Sequence, residues 1–457
     1  MIFLIMVFFT NLWASPHAIS ESKVVDSALK NFPVVLNAFQ NVVQFENIYR
    51  KSYGEFDLKV IGESNSYLDG FYTGDAYKVY VEKELEFINA KLYSGVKKSN
   101  GAFPDYEGKL KASQAGEPFV GLNFSLLRNI FIDEDRLNIL NSKIDLESSV
   151  IELSKVKLEV TFAATEAYWQ FVNAKERYKI AHKNLDIAME RMTQLKRRIS
   201  KGDLAEIYAV ENEQYILKRK NQLLEELKNL VEKTYVLSLF YRDEEAKPIV
   251  LLEQEVSYEN IEMKLYDQNQ LDEMFQRVNN ENPDLKLAGN KLLQVANEIK
   301  LAESNYWPEL NLRVENISNR YISTGPQDEN ETRVLLNLEI PLEYNKIKGD
   351  YRAKKAKERI YNYELKFKGE TLNAKARTIS KKMEYTFEKY NNAESEIQLA
   401  QKLIQAEQKK FQLGDSDFFV LNIREQNWFE AQEKKLSAQL EFFILRAELR
   451  KLAAVEY

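Results

Sequence analysis

The chain switches between two hydrophobic periods. From Asp133 to Ser200 there is neither Gly nor Pro, and apolar residues recur at Ala163, Ala167, Ala174, Tyr178, Ala181, Leu185, Ala188, Met192, Leu195 and Ile199. Steps of three, four and seven form a coiled-coil seam, and the run is far longer than a globular helix needs. At 1.5 Å per residue it predicts a helix of roughly 100 Å. Gly202 ends it and Leu204–Arg242 returns with helical composition, so the two predict an antiparallel hairpin. Asp350–Leu413 and Asp417–Tyr457 read the same way around Gly414. Shorter helices are predicted over Ser22–Lys51, with a break near Pro33, and over Leu271–Tyr306, interrupted by Pro283.

Between the helices the period is two. Phe56, Leu58 and Val60 alternate with Asp57 and Lys59 across Glu55–Tyr67. The same alternation runs through Lys78–Tyr93, Val120–Leu127, Pro308–Val314 and Val334–Pro341. Each predicts a strand with one apolar and one polar face.

The elements come twice. A shift of 212 residues lays Gly202 and Asp203 on Gly414 and Asp415, Glu213 on Glu425, Tyr178 on Tyr390 and Ala188 on Ala400. Two halves follow: residues 19–263, with strands at about 55–127 and a hairpin at 133–242, and residues 264–457, with strands at 309–341 and a hairpin at 347–455. The first strands of the halves differ by 254 positions, so the first half carries about 40 extra residues between Leu68 and Pro118. The alternating Lys78–Tyr93 stretch lies there. It reads as an extra hairpin, or as the barrel strand in place of Glu55–Tyr67.

Composition narrows the chemistry. Only 15 Gly and 9 Pro occur among 457 residues, which suits long helices. A net charge of −6 leaves no electrostatic footprint for nucleic acid. With no Cys and only His17 and His182, thiolate chemistry, a His triad and a multi-His metal site are excluded, and no catalytic or cofactor site is read. Residues 1–18 read as a secretory signal peptide: an apolar run to Trp13, then small residues, with cleavage after Ala14 or Ala18. Two-faced strands of about ten residues have the length that crosses an outer membrane when tilted. Four of them cannot close a barrel alone, and an open edge cannot sit in lipid.

Several stretches carry a family resemblance. These are the duplicated half; Glu281–Leu285 (ENPDL) with Ala302–Leu310 (AESNYWPEL); Leu338–Leu342 (LEIPL); and Asn31–Pro33 as a degraded copy of the Asn-Pro turn. Leu126–Asn129 (LLRN), with Ile132 and Asp133, and Gly414–Gln426 (GDSDFFVLNIREQ) resemble one subgroup. Over residues 22–457 the chain resembles the TolC family of outer-membrane channel proteins. The resemblance implies a mainly α fold with a small β part. It implies a long coiled-coil α-barrel in the periplasm and a trimeric 12-stranded transmembrane β-barrel in outer-membrane lipid, four strands per chain. It further implies a homotrimer acting as passive conduit of a tripartite efflux or type I secretion system. The partners would be a periplasmic adaptor protein and an inner-membrane pump of ABC, RND or MFS type.

The resemblance puts adaptor contacts at the hairpin tips, here Gly202, Asp203, Gly414 and Asp415. Family members commonly carry an acid six positions after each tip Gly, where this chain has Tyr208 and Val420. A periplasmic gate would then draw on Tyr208, Asp417, Val420 and Arg424. The plainer reading is that Asp203, Asp415 and Asp417 cap the next helix and that Arg424 is a solvated charge. Trp169, Trp307 and Trp428 read as packing residues, with a membrane boundary as the alternative for Trp307. A secreted soluble coiled-coil scaffold, or a periplasmic adaptor with a small β domain, is the competing class.

Overall fold

A computed structural model describes residues 19–103, 112–114, 116–251, 262–319 and 329–455. The signal-peptide segment, 1–18, lies outside them. The described residues fall into two compact units.

The first unit comprises residues through Phe39, Glu152–Leu285 and Lys368 onward. It is helical, built from α1 (Glu21–Asn31), α4 (Ile207–Phe240), α5 (Gln268–Asn280) and α8 (Phe418–Leu452), with the corresponding parts of α2 (Pro33–Ser52), α3 (Glu134–Ser200) and α7 (Asn345–Leu413). The seam read from sequence is the buried stripe: Ala167, Ala174, Ala181, Leu185, Ala188 and Leu195 are all in the core. Small residues there let backbones approach closely. Larger side chains fill the wider part, where Trp169 stacks on Phe443 at 3.6 Å between ring centroids. Trp169 also donates to Glu21 of α1 at 3.1 Å, so its polar edge is satisfied in the core.

The duplication is visible in how each half is tied. Asn282 Nδ2 donates to the carbonyl of Leu452, at the end of α8, at 2.9 Å, while its Oδ1 accepts from Asp284 at the start of α6 (Pro283–Ser304). Asn31 donates likewise to the carbonyl of Asp243, just past α4, at 2.8 Å. Each Asn before its Pro therefore anchors the end of the returning helix of its own half.

The second unit, Gln40–Ile151 and Lys286–Phe367, holds one antiparallel sheet in sequence order: β1 (Lys59–Tyr67), β2 (Gly74–Glu84), β3 (Ala90–Gly101), β4 (Glu117–Ser125), β5 (Glu309–Asn319) and β6 (Glu329–Glu339). Among the described residues the sheet has six strands, where four per chain are expected. The extra residues of the first half form an additional hairpin, and the expected Glu55–Tyr67 strand is the first strand only from Lys59 onward, because Tyr53–Phe56 form a 3-10 helical turn. The Lys78–Tyr93 alternation is two strands, not one, because the chain reverses at Leu85–Asn89. No Gly or Pro marks that reversal. It is held from a distance: Arg136 of α3 donates to the carbonyls of Leu85, Glu86 and Ile88 and pairs with Asp133 and Glu84.

Register gathers apolar residues from all six strands on one face, while Phe119 and Ile317 pack with Tyr93 on the other. Val60 pairs with Val81, Val79 with Val96, Leu92 with Leu122, Leu122 with Val314, and Val314 with Val334. The opposite face carries charge and aromatic rings, and Glu63, Lys78, Arg313 and Arg333 border one cavity of about 780 Å³, so the sheet curls with its polar face inward. Two glycines on that inner face accommodate tyrosines from the neighbouring strand: Tyr80 lies opposite Gly95, and Tyr93 opposite Gly121. A Cβ at Gly95 would meet the backbone of Val79 and Tyr80, and one at Gly121 would meet the Tyr93 ring. Tyr93 is fixed by Arg313, which donates to its hydroxyl at 2.7 Å.

Candidate functional site: the hairpin tips

Both long hairpins turn through the same local structure. Gly202 (φ +79°) and Gly414 (φ +86°) adopt the left-handed conformation that residues with a Cβ avoid. The amide after each glycine reaches back five residues, Asp203 to the Arg198 carbonyl at 3.0 Å and Asp415 to the Lys410 carbonyl at 2.9 Å. This is a Schellman-type end that satisfies the last free carbonyls of the helix. Nothing stands within 4 Å of where a Cβ would lie at either glycine, so the constraint there is conformational, not steric.

Beyond the turns the two tips differ. Asp417 caps α8, accepting from the Phe419 amide at 3.4 Å. α4 instead starts after Glu206 without a side-chain cap, so Asp203 is not its cap. Tyr208 contributes to an aromatic cluster around the fully buried Phe418, together with Tyr215 and Phe411. Val420 sits half-buried on α8. Arg424 lies 3.9 Å from Glu407 of α7, within its own hairpin. Glu407, buried, also accepts from Ser416 of the turn. Asp203 and Asp415 are exposed at the tips.

Sequence reading missed the strongest electrostatic feature of this region. Glu425 of α8, 2% exposed, receives Arg191 of α3 in a two-pronged ion pair and Arg219 of α4 at 3.3 Å. Arg191 also donates to Asn422 at 2.9 Å, and Arg219 to the Asn184 carbonyl at 3.0 Å. Burial pushes the Arg219 guanidinium below its usual pKa despite the partner carboxylate. One carboxylate thus ties three helices, with two guanidinium groups sharing it. The repeat offset pairs Glu425 with Glu213, which is exposed; that asymmetry is invisible in the aligned sequence.

Beside the cluster a cavity of about 490 Å³ opens between α3, α7 and α8, bordered by Arg191, Arg198, Gln405, Gln408 and Trp428. Amide and guanidinium donors line it together with the Phe411 and Trp428 rings. Trp428 Nε1 has no hydrogen-bond partner among the described residues.

No family model and no curated protein matches the sequence. Solved structures do. The CmeC outer membrane channel of Campylobacter jejuni is 15% identical, with 95% of this chain and 85% of that one covered and a TM-score of 0.67. CusC, described as forming a transmembrane channel, is 11% identical, with 95% and 91% covered and a TM-score of 0.69. The open state of the Neisseria gonorrhoeae MtrE outer membrane channel is 14% identical, with 95% and 88% covered and a TM-score of 0.67. The chain has the fold of these TolC-like outer-membrane channels. The resemblance seen in the repeat, the Asn-Pro turn and the tip motif is thereby a resemblance of fold over nearly the whole chain.

Replacing Gly414 with Val puts a β-branched residue at positive φ, at a cost of about 1–2 kcal/mol or more. We expect the α7–α8 turn to open. Hydrogen exchange at residues 410–418 should rise at least several-fold, and unchanged exchange would refute the constraint.

Proposed function

We propose that this protein is an outer-membrane channel: a passive conduit whose sheet lines a pore in the lipid and whose helical hairpins reach into the periplasm. The observation that carries this reading is the sheet. All six strands present apolar side chains on one face, and Val79, Val334 and Leu336 are each more than half exposed in the single chain. Hydrophobic residues continuous across a sheet and facing outward suit hydrocarbon, while the inward charges suit a water-filled lumen. Trp307, 61% exposed just before β5, fits the aromatic girdle at the lipid boundary.

The channel assembles as a homotrimer and works with an inner-membrane pump through a periplasmic adaptor, in efflux or type I secretion. The tips are the adaptor contact: Gly202, Asp203, Gly414 and Asp415 form the two turns. The glutamine-bordered groove beside them gives a helical partner polar side chains to read. Tyr208, Asp417, Val420 and Arg424 stand where a gate would act.

Two measurements test this. The protein should fractionate with the outer membrane, extract only into detergent and run as a trimer. Purified, it should form discrete channels in planar bilayers. Recovery as a detergent-free monomer with no conductance would overturn the reading.

A further inference from the structure

We propose that the inserted hairpin is part of the membrane wall, so that each copy of this chain contributes six strands and a trimer closes an eighteen-stranded barrel. The inference rests on the channel reading above and goes beyond it. Twelve strands would follow if β2 and β3 folded away from the wall as an external loop.

Three observations place them in the wall. First, β2 pairs with β1 along nine residues and β3 with β4 along eight, so the hairpin is spliced into the middle of one continuous sheet. Removing it from the wall would leave β1 and β4 each unpaired along the one edge that now meets the hairpin. Backbone groups unpaired in hydrocarbon cost several kcal/mol each. Second, the hairpin carries the same alternation as its neighbours. Val79, Val81, Leu92 and Val96 face outward and are exposed, in register with Val60 on one side and Leu122 on the other. Lys78, Glu82, Lys91 and Lys97 face inward. An external hairpin bathed in water would have no need of an apolar outer face. Third, the curvature is built through it. The Tyr80–Gly95 and Tyr93–Gly121 pairs lie on the inner face at successive strand junctions, where a missing Cβ lets a ring cover the backbone and the sheet bend.

The edges specify the partner. Among the described residues β1 and β6 pair with no other strand on their outer sides. Because the six strands alternate in direction, β6 of one copy meets β1 of the next antiparallel, and only a ring of identical copies closes with no edge left over. The occupant of each edge is therefore a second copy of this chain. Three copies of six strands give a wall about half as wide again as one of twelve, since diameter grows roughly linearly with strand number.

The absence of Cys makes the test clean. Single-cysteine variants at Val79, Val96 and Leu336, and at the inward Lys78, would carry a nitroxide label in the full-length protein in phosphatidylcholine vesicles. Accessibility to oxygen and to a water-soluble nickel chelate is then read by electron spin resonance. Labels at Val79 and Val96 should favour oxygen as strongly as the label at Leu336, with Lys78 reversed. Water-exposed labels at Val79 and Val96 beside a lipid-exposed label at Leu336 would overturn this proposal and leave the channel reading standing. A water-exposed label at Leu336 would instead sink the channel reading. Imaging of the assembled ring by electron microscopy gives a second decision: a wall of eighteen strands supports the proposal and one of twelve refutes it.

Discussion

Replacing Glu425 with Ala should destabilise the long helical hairpins by about 3–5 kcal/mol, the cost of leaving buried charge uncompensated. Arg191 and Arg219 are 7% and 5% exposed, and both lose their carboxylate at once. The effect should be visible as a lowered unfolding midpoint of the helical part and as new protease cleavage near the tips. Removing charge altogether should be far milder. The triple variant Arg191→Met, Arg219→Leu, Glu425→Leu is expected to recover most of the loss, because packed apolar residues often replace a buried ion cluster at little cost. A Glu425→Ala protein as stable as the parent would show that water reaches the cluster and that it holds nothing together.

Replacing Arg136 with Ala should undo the inserted hairpin. Three backbone carbonyls in the Leu85–Asn89 reversal lose their donor, and Glu84 and Asp133 lose their cation. Breaking a buried pair of this kind also costs about 3–5 kcal/mol. We expect the proposed trimer to come apart at a lower temperature in detergent than the parent, and the 85–89 segment to become cleavable. Arg136→Lys should rescue poorly, since an ammonium is a point charge and cannot present the planar fork that serves several carbonyls together. Full heat resistance in the Ala variant would mean that the turn is held by its strands alone.

Both residues mark the boundary of what sequence could show. The helices, the seam from Ala167 to Leu195 and the two glycine turns were legible because each is encoded locally: a repeating interval of apolar residues, or a glycine where φ must be positive. Asn31 and Asn282 do the same work on the end of a returning helix, each donating to one of its last carbonyls. Strands are legible where Gly or Pro bounds the alternation, although β1 begins at Lys59 and not at Glu55. The alternation misleads between Lys78 and Tyr93, where the reversal carries no turn residue and depends on an arginine about fifty positions away.

By itself, then, the sequence determined the periodic parts of this protein: long helices, two-faced strands, their duplication and the tight tips. These follow from side-chain spacing and backbone conformation within a few residues. Only the tertiary structure decided that there are six strands in one sheet and that Glu425 is buried between two arginines while its repeat partner Glu213 faces solvent. Those outcomes depend on groups separated by fifty to more than two hundred residues. Their energies come from desolvation and from carbonyl groups that need donors, and neither leaves a period in the chain.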